Sequence, residues 1–133
     1  MVIDTDLEKG VVKIFVDGRD TEVASADFVF DETQIRVTNV ATSDAYKKSG
    51  YGRLLFDALK CLSQQYKKPL ILWALDDAIP FYEKIGMLHL DNPSVQNRLI
   101  FGNVTAKTLS DKVDEDDFVW IPKGLKTRPT IFL

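Results

Sequence analysis

Cysteine, histidine and long apolar runs are scarce in this 133-residue chain, and each scarcity removes a class of function. Cys61 is the single cysteine, so no intramolecular disulfide framework exists and a reducing compartment is suited. His89 is the single histidine, which excludes multi-histidine metal centres, and no calcium- or zinc-binding motif is present, so no metal is expected. No apolar run is long enough to span a bilayer, and the opening Met-Val-Ile-Asp-Thr-Asp lacks a signal-peptide pattern. A cytoplasmic protein without a membrane partner is the expectation. Positive charge is not in excess: 17 Lys and Arg stand against 20 Asp and Glu, for a net charge of −3 and a pI of 5.1. A nucleic-acid partner, which calls for a basic footprint, is therefore not expected. A cationic substrate is compatible. Internal repeats and low-complexity segments are lacking too.

What is present is a chain that is 45% hydrophobic and 28% charged, enough to bury a core within one domain over residues 1–133. Residues 1–10 are polar and read as a lead-in. Residues 11–16 read as a strand with Val12, Ile14 and Val16 on one face. Asp17-Gly18 signals a turn into a partner strand over 22–30, where Ala24, Ala26, Phe28 and Phe30 alternate with polar residues. Asp31-Glu32 starts the next turn, and a third strand runs over 34–42. Leu55, Ala58, Leu59, Leu62 and Tyr66 then recur at helical spacing. Lys67-Lys68-Pro69 ends that helix. The continuous apolar run 70–75 reads as a strand buried on both faces, so strand, helix and strand form a parallel crossover unit. A second helix follows, with Asp77 as N-cap, Pro80 in its first turn and Gly86 as its stop. Short helices over 94–101 and 105–113, a strand over 87–90, an acidic loop over 114–117, a last strand over 118–121 and a docked apolar tail, Ile131-Phe132-Leu133, complete the reading.

The most informative stretch is Tyr46-Lys47-Lys48-Ser49-Gly50-Tyr51-Gly52-Arg53, between the third strand and the helix. The first N–H groups of a helix lack intrahelical partners and its dipole favours an anion there. Gly50 and Gly52 let a ligand approach the backbone, and Lys47, Lys48 and Arg53 add charge. A phosphate-bearing ligand is the implied occupant.

Two segments, in order, resemble the GNAT superfamily of acyl-coenzyme A-dependent N-acyltransferases. One is Lys47-Lys48-Ser49-Gly50-Tyr51-Gly52 followed by Arg53-Leu54-Leu55, similar to the family's phosphate turn of Gln or Arg, two residues, Gly, one residue, Gly or Ala. The other is Ala78-Ile79-Pro80-Phe81-Tyr82-Glu83-Lys84-Ile85-Gly86-Met87, which looks like the family's second helix. The resemblance covers residues 11–90. It implies a mixed, mostly antiparallel α/β (α+β) sheet with helices on both faces and a β-α-β acyl-coenzyme A-binding unit. It also implies acetyl-coenzyme A as acyl donor, its pyrophosphate on the amides of Ser49, Gly50, Tyr51, Gly52 and Arg53, and its pantetheine arm paired with the backbone of Val40, Ala41 and Thr42. The thioester would lie in a gap beside the 70–75 strand. The chain departs from the family in three ways. Lys47 replaces Gln or Arg, Leu75 replaces a frequent asparagine, and the Asp17-Gly18 hairpin leaves no room for the helices that usually wall the acceptor site.

Acyl transfer to an amine requires that the amine lose a proton, that an oxyanion be met by N–H donors and that the departing thiolate be protonated. Tyr82 matches the family's tyrosine acid; its other reading is an amphipathic core residue. The backbone near Val40 or Ala41 is the implied oxyanion donor. Residues 37–40 carry no carboxylate, so Glu22, Asp27 and a water chain helped by Thr38 or Asn39 are the candidates for base. Cys61 and Trp73 read as core residues and His89 as structural. The leading function is an N-acetyltransferase acting on a primary amine of a small molecule or protein. A non-catalytic acyl-coenzyme A-binding interaction module and a generic nucleotide-binding module are the alternatives. A homodimer is left open.

Overall fold

The structure is a computed structural model that describes residues 1–47, 49–92, 95 and 117–123. Apart from Val95, the expected short helices over 94–101 and 105–113 lie outside the described residues, as do the 114–116 part of the acidic loop, the tail over 124–133 and Lys48.

The elements are β1 (Val2–Asp6), β2 (Val11–Val16), β3 (Thr21–Phe30), β4 (Ile35–Thr42), α1 (Tyr51–Tyr66), β5 (Leu70–Trp73), α2 (Ile79–Lys84), β6 (Leu88–His89) and β7 (Asp117–Trp120), with single 3-10 turns before α1 and α2. They form one sheet of order β1-β2-β3-β4-β5-β7-β6. The β4–β5 pair is parallel and every other pair is antiparallel. This is the expected mixed sheet, with α1 as the crossover of its β-α-β unit.

Alternation decides which face of each strand is buried. Val12, Ile14, Ala24, Ala26, Phe28, Ile35, Val37, Leu70, Leu72 and Phe118 make one face, against which α1 lays Leu55, Phe56, Leu59 and Leu62 and α2 lays Tyr82 and Ile85. Behind β5 and β7 a second cluster holds Ile71, Leu90, Val119 and Val95, whose backbone is helical. The 70–72 run is thus buried on both faces because two clusters sandwich it. Helix α1 ends as its sequence implies, with Lys67 left-handed at φ 54° and the Lys68 N–H donating to the Ser63 carbonyl at 3.1 Å. Asp31 organises the β3–β4 turn: its Oδ1 accepts the Thr33 and Gln34 N–H groups at 2.8 and 2.9 Å.

Four expectations need correction. The lead-in contains β1, an edge strand whose single pairing partner, β2, lets it stay polar; Asp4 is ion-paired to Arg19. Asp77 does not cap α2, because a 3-10 turn over Asp76–Ala78 precedes it and Ala78 holds the cap position. Asp117 belongs to β7 and is buried, with its carbonyl accepting the Leu90 N–H at 2.9 Å. Cys61, expected in the core, is exposed on α1.

Phe56 is fully buried and meets Phe81 and Tyr82 edge-on, with ring centroids 6.0 and 5.3 Å away. It is the contact that seats α2 on α1. Phe56→Ala is expected to cost about 3–5 kcal/mol, read from urea unfolding, and Phe56→Leu clearly less.

Candidate functional site

The site is built by a disagreement between β4 and its two neighbours. The β4–β3 ladder runs the length of β4, whereas the β4–β5 ladder holds only three pairs, Ile35↔Leu70, Arg36↔Ile71 and Val37↔Leu72. The β3–β4 register slips between Asp27↔Asn39 and Phe28↔Val37, so Thr38 is an extra residue, a bulge. Its hydroxyl donates to the Asp27 carbonyl at 3.3 Å. A bulge bends its strand and raises its twist. Here it stands where β5 pairing stops. The burial pattern flips with it: Ile35 and Val37 face the core before the bulge, Val40 and Thr42 turn half inward after it, and Asn39 and Ala41 are exposed on the opposite face. Past Val37, then, β4 presents an edge to an opening that β5 no longer closes.

The glycine turn lies at the same end. After β4 comes the 3-10 turn over Asp44–Tyr46, then α1. Gly50 is the N-cap of α1 at φ 86°, and nothing lies within 4 Å of where its Cβ would stand. A side-chain-bearing residue would be strained there and would project into the space before the helix. The Leu54 N–H donates to the Gly50 carbonyl at 3.1 Å, while the N–H groups of Gly50, Tyr51, Gly52 and Arg53 find no carbonyl among the described residues. Such N–H groups are the donors that an anion site requires. The Ser49 N–H is not one of them, because it donates to Tyr46 at 3.2 Å. Gly52 is half-buried, and a Cβ there would meet the Phe81 ring at 3.6 Å, an ordinary contact that α1–α2 packing tolerates. Tyr46 and Tyr51 meet edge-on at 5.8 Å across the turn.

Charge at the turn differs from the simple basic patch. Lys47 Nζ lies 2.9 Å from the Asp44 carboxylate, both exposed. That hydrogen bond and charge raise the Lys47 pKa and lower the Asp44 pKa. Arg53 is exposed at the first turn of α1. Asp44, which the sequence reading passed over, thus offsets the charge of Lys47.

Tyr82 lies on α2, which follows β5 at the same end. It is 8% exposed, wedged among Phe56, Phe81 and Phe118, with centroids 5.3, 5.4 and 5.8 Å away. Burial pushes its phenol pKa up, which keeps the proton on oxygen near neutral pH. Its hydroxyl has no hydrogen-bond partner among the described residues. Of the candidate bases, Glu22 is ion-paired with Lys13 at 3.3 Å, and Asp27 is exposed on the strand beside Asn39. His89 is structural as expected, its ring 4.5 Å from Phe118 and its Nε2 3.1 Å from Glu83. Trp73, expected in the core, is 57% exposed: it is the first β5 residue beyond the last β4 pair, so β4 no longer covers it. Among the described residues no group of three or more His, Cys, Asp or Glu is gathered as metal ligands, and no helix is long and apolar enough to cross a membrane.

The fold recurs in solved structures. The Escherichia coli ribosomal-protein-S18-alanine N-acetyltransferase is 17% identical, with 87% of this chain and 73% of that chain covered at a TM-score of 0.56. The Bacillus subtilis N-acetyltransferase YlbP, solved in complex with coenzyme A, is 17% identical, with 86% and 68% covered at 0.54. The fold is that of the GNAT N-acetyltransferases. The match spans 98% of the anti-CRISPR protein AcrVA5, with 84% of this chain covered, 19% identity and a TM-score of 0.56. No protein-family model and no curated protein sequence matches the chain.

The two glycines of the turn are expected to separate on substitution. Gly50→Ala should destabilise by about 1–2 kcal/mol because of its left-handed backbone. Gly52→Ala should be neutral or stabilising by up to about 1 kcal/mol, since alanine favours the helix and its methyl meets Phe81 at ordinary contact distance. Thermal unfolding of both variants checks this.

Proposed function

We propose that the chain is a single N-acetyltransferase domain that transfers an acetyl group from acetyl-coenzyme A to a primary amine, in the cytoplasm. The observation that carries this reading is the opening of β4 from β5 after Val37↔Leu72, beside four amides at the start of α1 that find no carbonyl among the described residues. The residues fit the donor. The open space at Gly50 and the amides of residues 50–53 suit a pyrophosphate, with Arg53, Lys47 and Lys48 as flanking charge and the Ser49 hydroxyl and Tyr51 at the rim. The Val40, Ala41 and Thr42 backbone, past the last β5 pair, offers an edge to an extended amide-bearing arm. Acetyl-coenzyme A is the cosubstrate that supplies the activated acyl carbon.

What the chain does with it follows from three groups. A backbone N–H at Val40 or Ala41, on the edge left by β5, meets the oxygen that gains charge. Tyr82, held protonated by burial, gives a proton to sulfur as the carbon–sulfur bond breaks. The proton lost by the amine leaves over the face where Asp27, Asn39 and the Thr38 bulge meet solvent. One observation favours a second reading, an acyl-coenzyme A-binding interaction module without catalysis: β4 has no carboxylate at the opening, and Glu22 is tied to Lys13.

Acetyl-coenzyme A is expected to raise the melting temperature where ATP and nicotinamide dinucleotides do so much less; equal shifts would point to a generic phosphate site. Asp44→Ala should tighten coenzyme A binding, by more at low salt, because it releases Lys47 and exposed charges are screened beyond about 8 Å at physiological ionic strength. An unchanged Kd would leave the backbone amides as the sole grip. Tyr82→Phe should leave coenzyme affinity and melting temperature nearly unchanged and lower kcat by roughly 10²–10⁴-fold. Full turnover in that variant would remove Tyr82 from the reaction.

A further inference from the structure

The face of the sheet opposite α1 and α2 carries a combination that packing does not explain. Trp73 projects there by alternation, since Leu70 and Leu72 face α1 and Ile71 faces the opposite cluster. An indole 57% exposed at a strand position is costly to leave in water unless something covers it. It stands on the β5 lip of the opening. Asn39 and Ala41 face the same side from the β4 lip. One strand further in, the exposed Asp27 lies directly opposite Asn39. Of the other carboxylates on this face, Glu22 is paired with Lys13 and Asp4 with Arg19, while Asp6, in line with Asp27 across Val11, accepts the Lys9 N–H and adds to the negative charge. Asp27 has no ion-pair partner among the described residues. Val29, 53% exposed, continues the face along β3 opposite the exposed Arg36. The β2–β3 connection spans only residues 17–20, and these side chains remain open to solvent.

We propose that this face is a docking surface for a protein, and that the amine acetylated is a lysine side chain in a cationic segment of that partner. The inference rests on the acetyltransferase reading and names its acceptor class. Trp73 is the anchor, packing on the lysine's alkyl stem and facing its ammonium, and Asp27 draws the positive segment toward the β4 lip. Among the described residues a small amine finds no enclosure here: the sides of the opening are lips of an open sheet, and small ligands are held by concave sites that bury most of their surface. A protein supplies its own cover. A nucleic acid is disfavoured by the net charge of −3 and by the carboxylates on this face.

The test compares acetyl transfer from acetyl-coenzyme A to a short peptide with one lysine between arginines, the same peptide with glutamates in place of the arginines, and butylamine. The arginine-flanked peptide is expected to show the highest kcat/KM. Trp73→Ala should raise its KM at least about tenfold with kcat and coenzyme Kd unchanged, while Trp73→Phe keeps part of the affinity. Asp27→Asn should raise KM for the arginine-flanked peptide by a larger factor than for the glutamate-flanked one. Both side chains are exposed, and unchanged melting temperatures would confirm intact variants. Equal turnover of butylamine and peptide, or a peptide KM indifferent to Trp73→Ala, overturns the docking surface while leaving the acetyltransferase reading in place. Coenzyme binding without transfer to any amine overturns both.

Discussion

The parting of two parallel strands is the constraint on which the rest of this site depends. A parallel pair left closed would spend the backbone groups of both strands on each other. The bulge at Thr38 prevents that by turning β4 away just past Val37↔Leu72. Everything proposed for function sits along the resulting opening: the edge over Val40, Ala41 and Thr42, the amide cluster at Gly50, α2 with Tyr82 beyond β5, and Trp73 on the opposite lip. The Thr38 hydroxyl donates to the Asp27 carbonyl across the bulge and so ties it to β3.

The aromatic cluster is the other half of the construction. Phe56, Phe81, Tyr82 and Phe118 bring α1, α2 and β7 into one packed unit. Because Tyr82 is held on three sides, its hydroxyl is placed by the core and not by a flexible loop. In the proposed role of acid, a phenol fixed this way would lose little freedom, which is what positioning for proton transfer requires.

Much of the architecture was legible because its periodicities are clean. The 11–16, 22–30 and 34–42 strands, the helix after the glycine turn and the apolar 70–72 run could be read from spacing alone. What escaped reading did so for local reasons. An edge strand needs no apolar face, so β1 passed as a polar lead-in. Trp73 looked like core because its neighbours are, and only the opening of the sheet exposes it. The bulge had a signature that went unread: the inward residues 35, 37, 40 and 42 break strict alternation by one residue. Asp44 stood three residues before Lys47, the spacing at which charges meet on a helical turn, yet only the cations of that stretch drew notice. The roles of Tyr82 and of the turn residues rest on the resemblance, because a buried tyrosine and a glycine cap look the same in sequence whether or not they meet a ligand.

The lone ladder of β1 has a consequence for the protein in concentrated solution. Its outer edge is a row of backbone donors and acceptors facing water, the geometry on which foreign strands add and aggregates grow. The alternate positions of this strand hold Asp4 and Asp6. A second copy laid against that edge would bring like charges together, so the polar composition that hid β1 in the sequence also keeps the molecules apart.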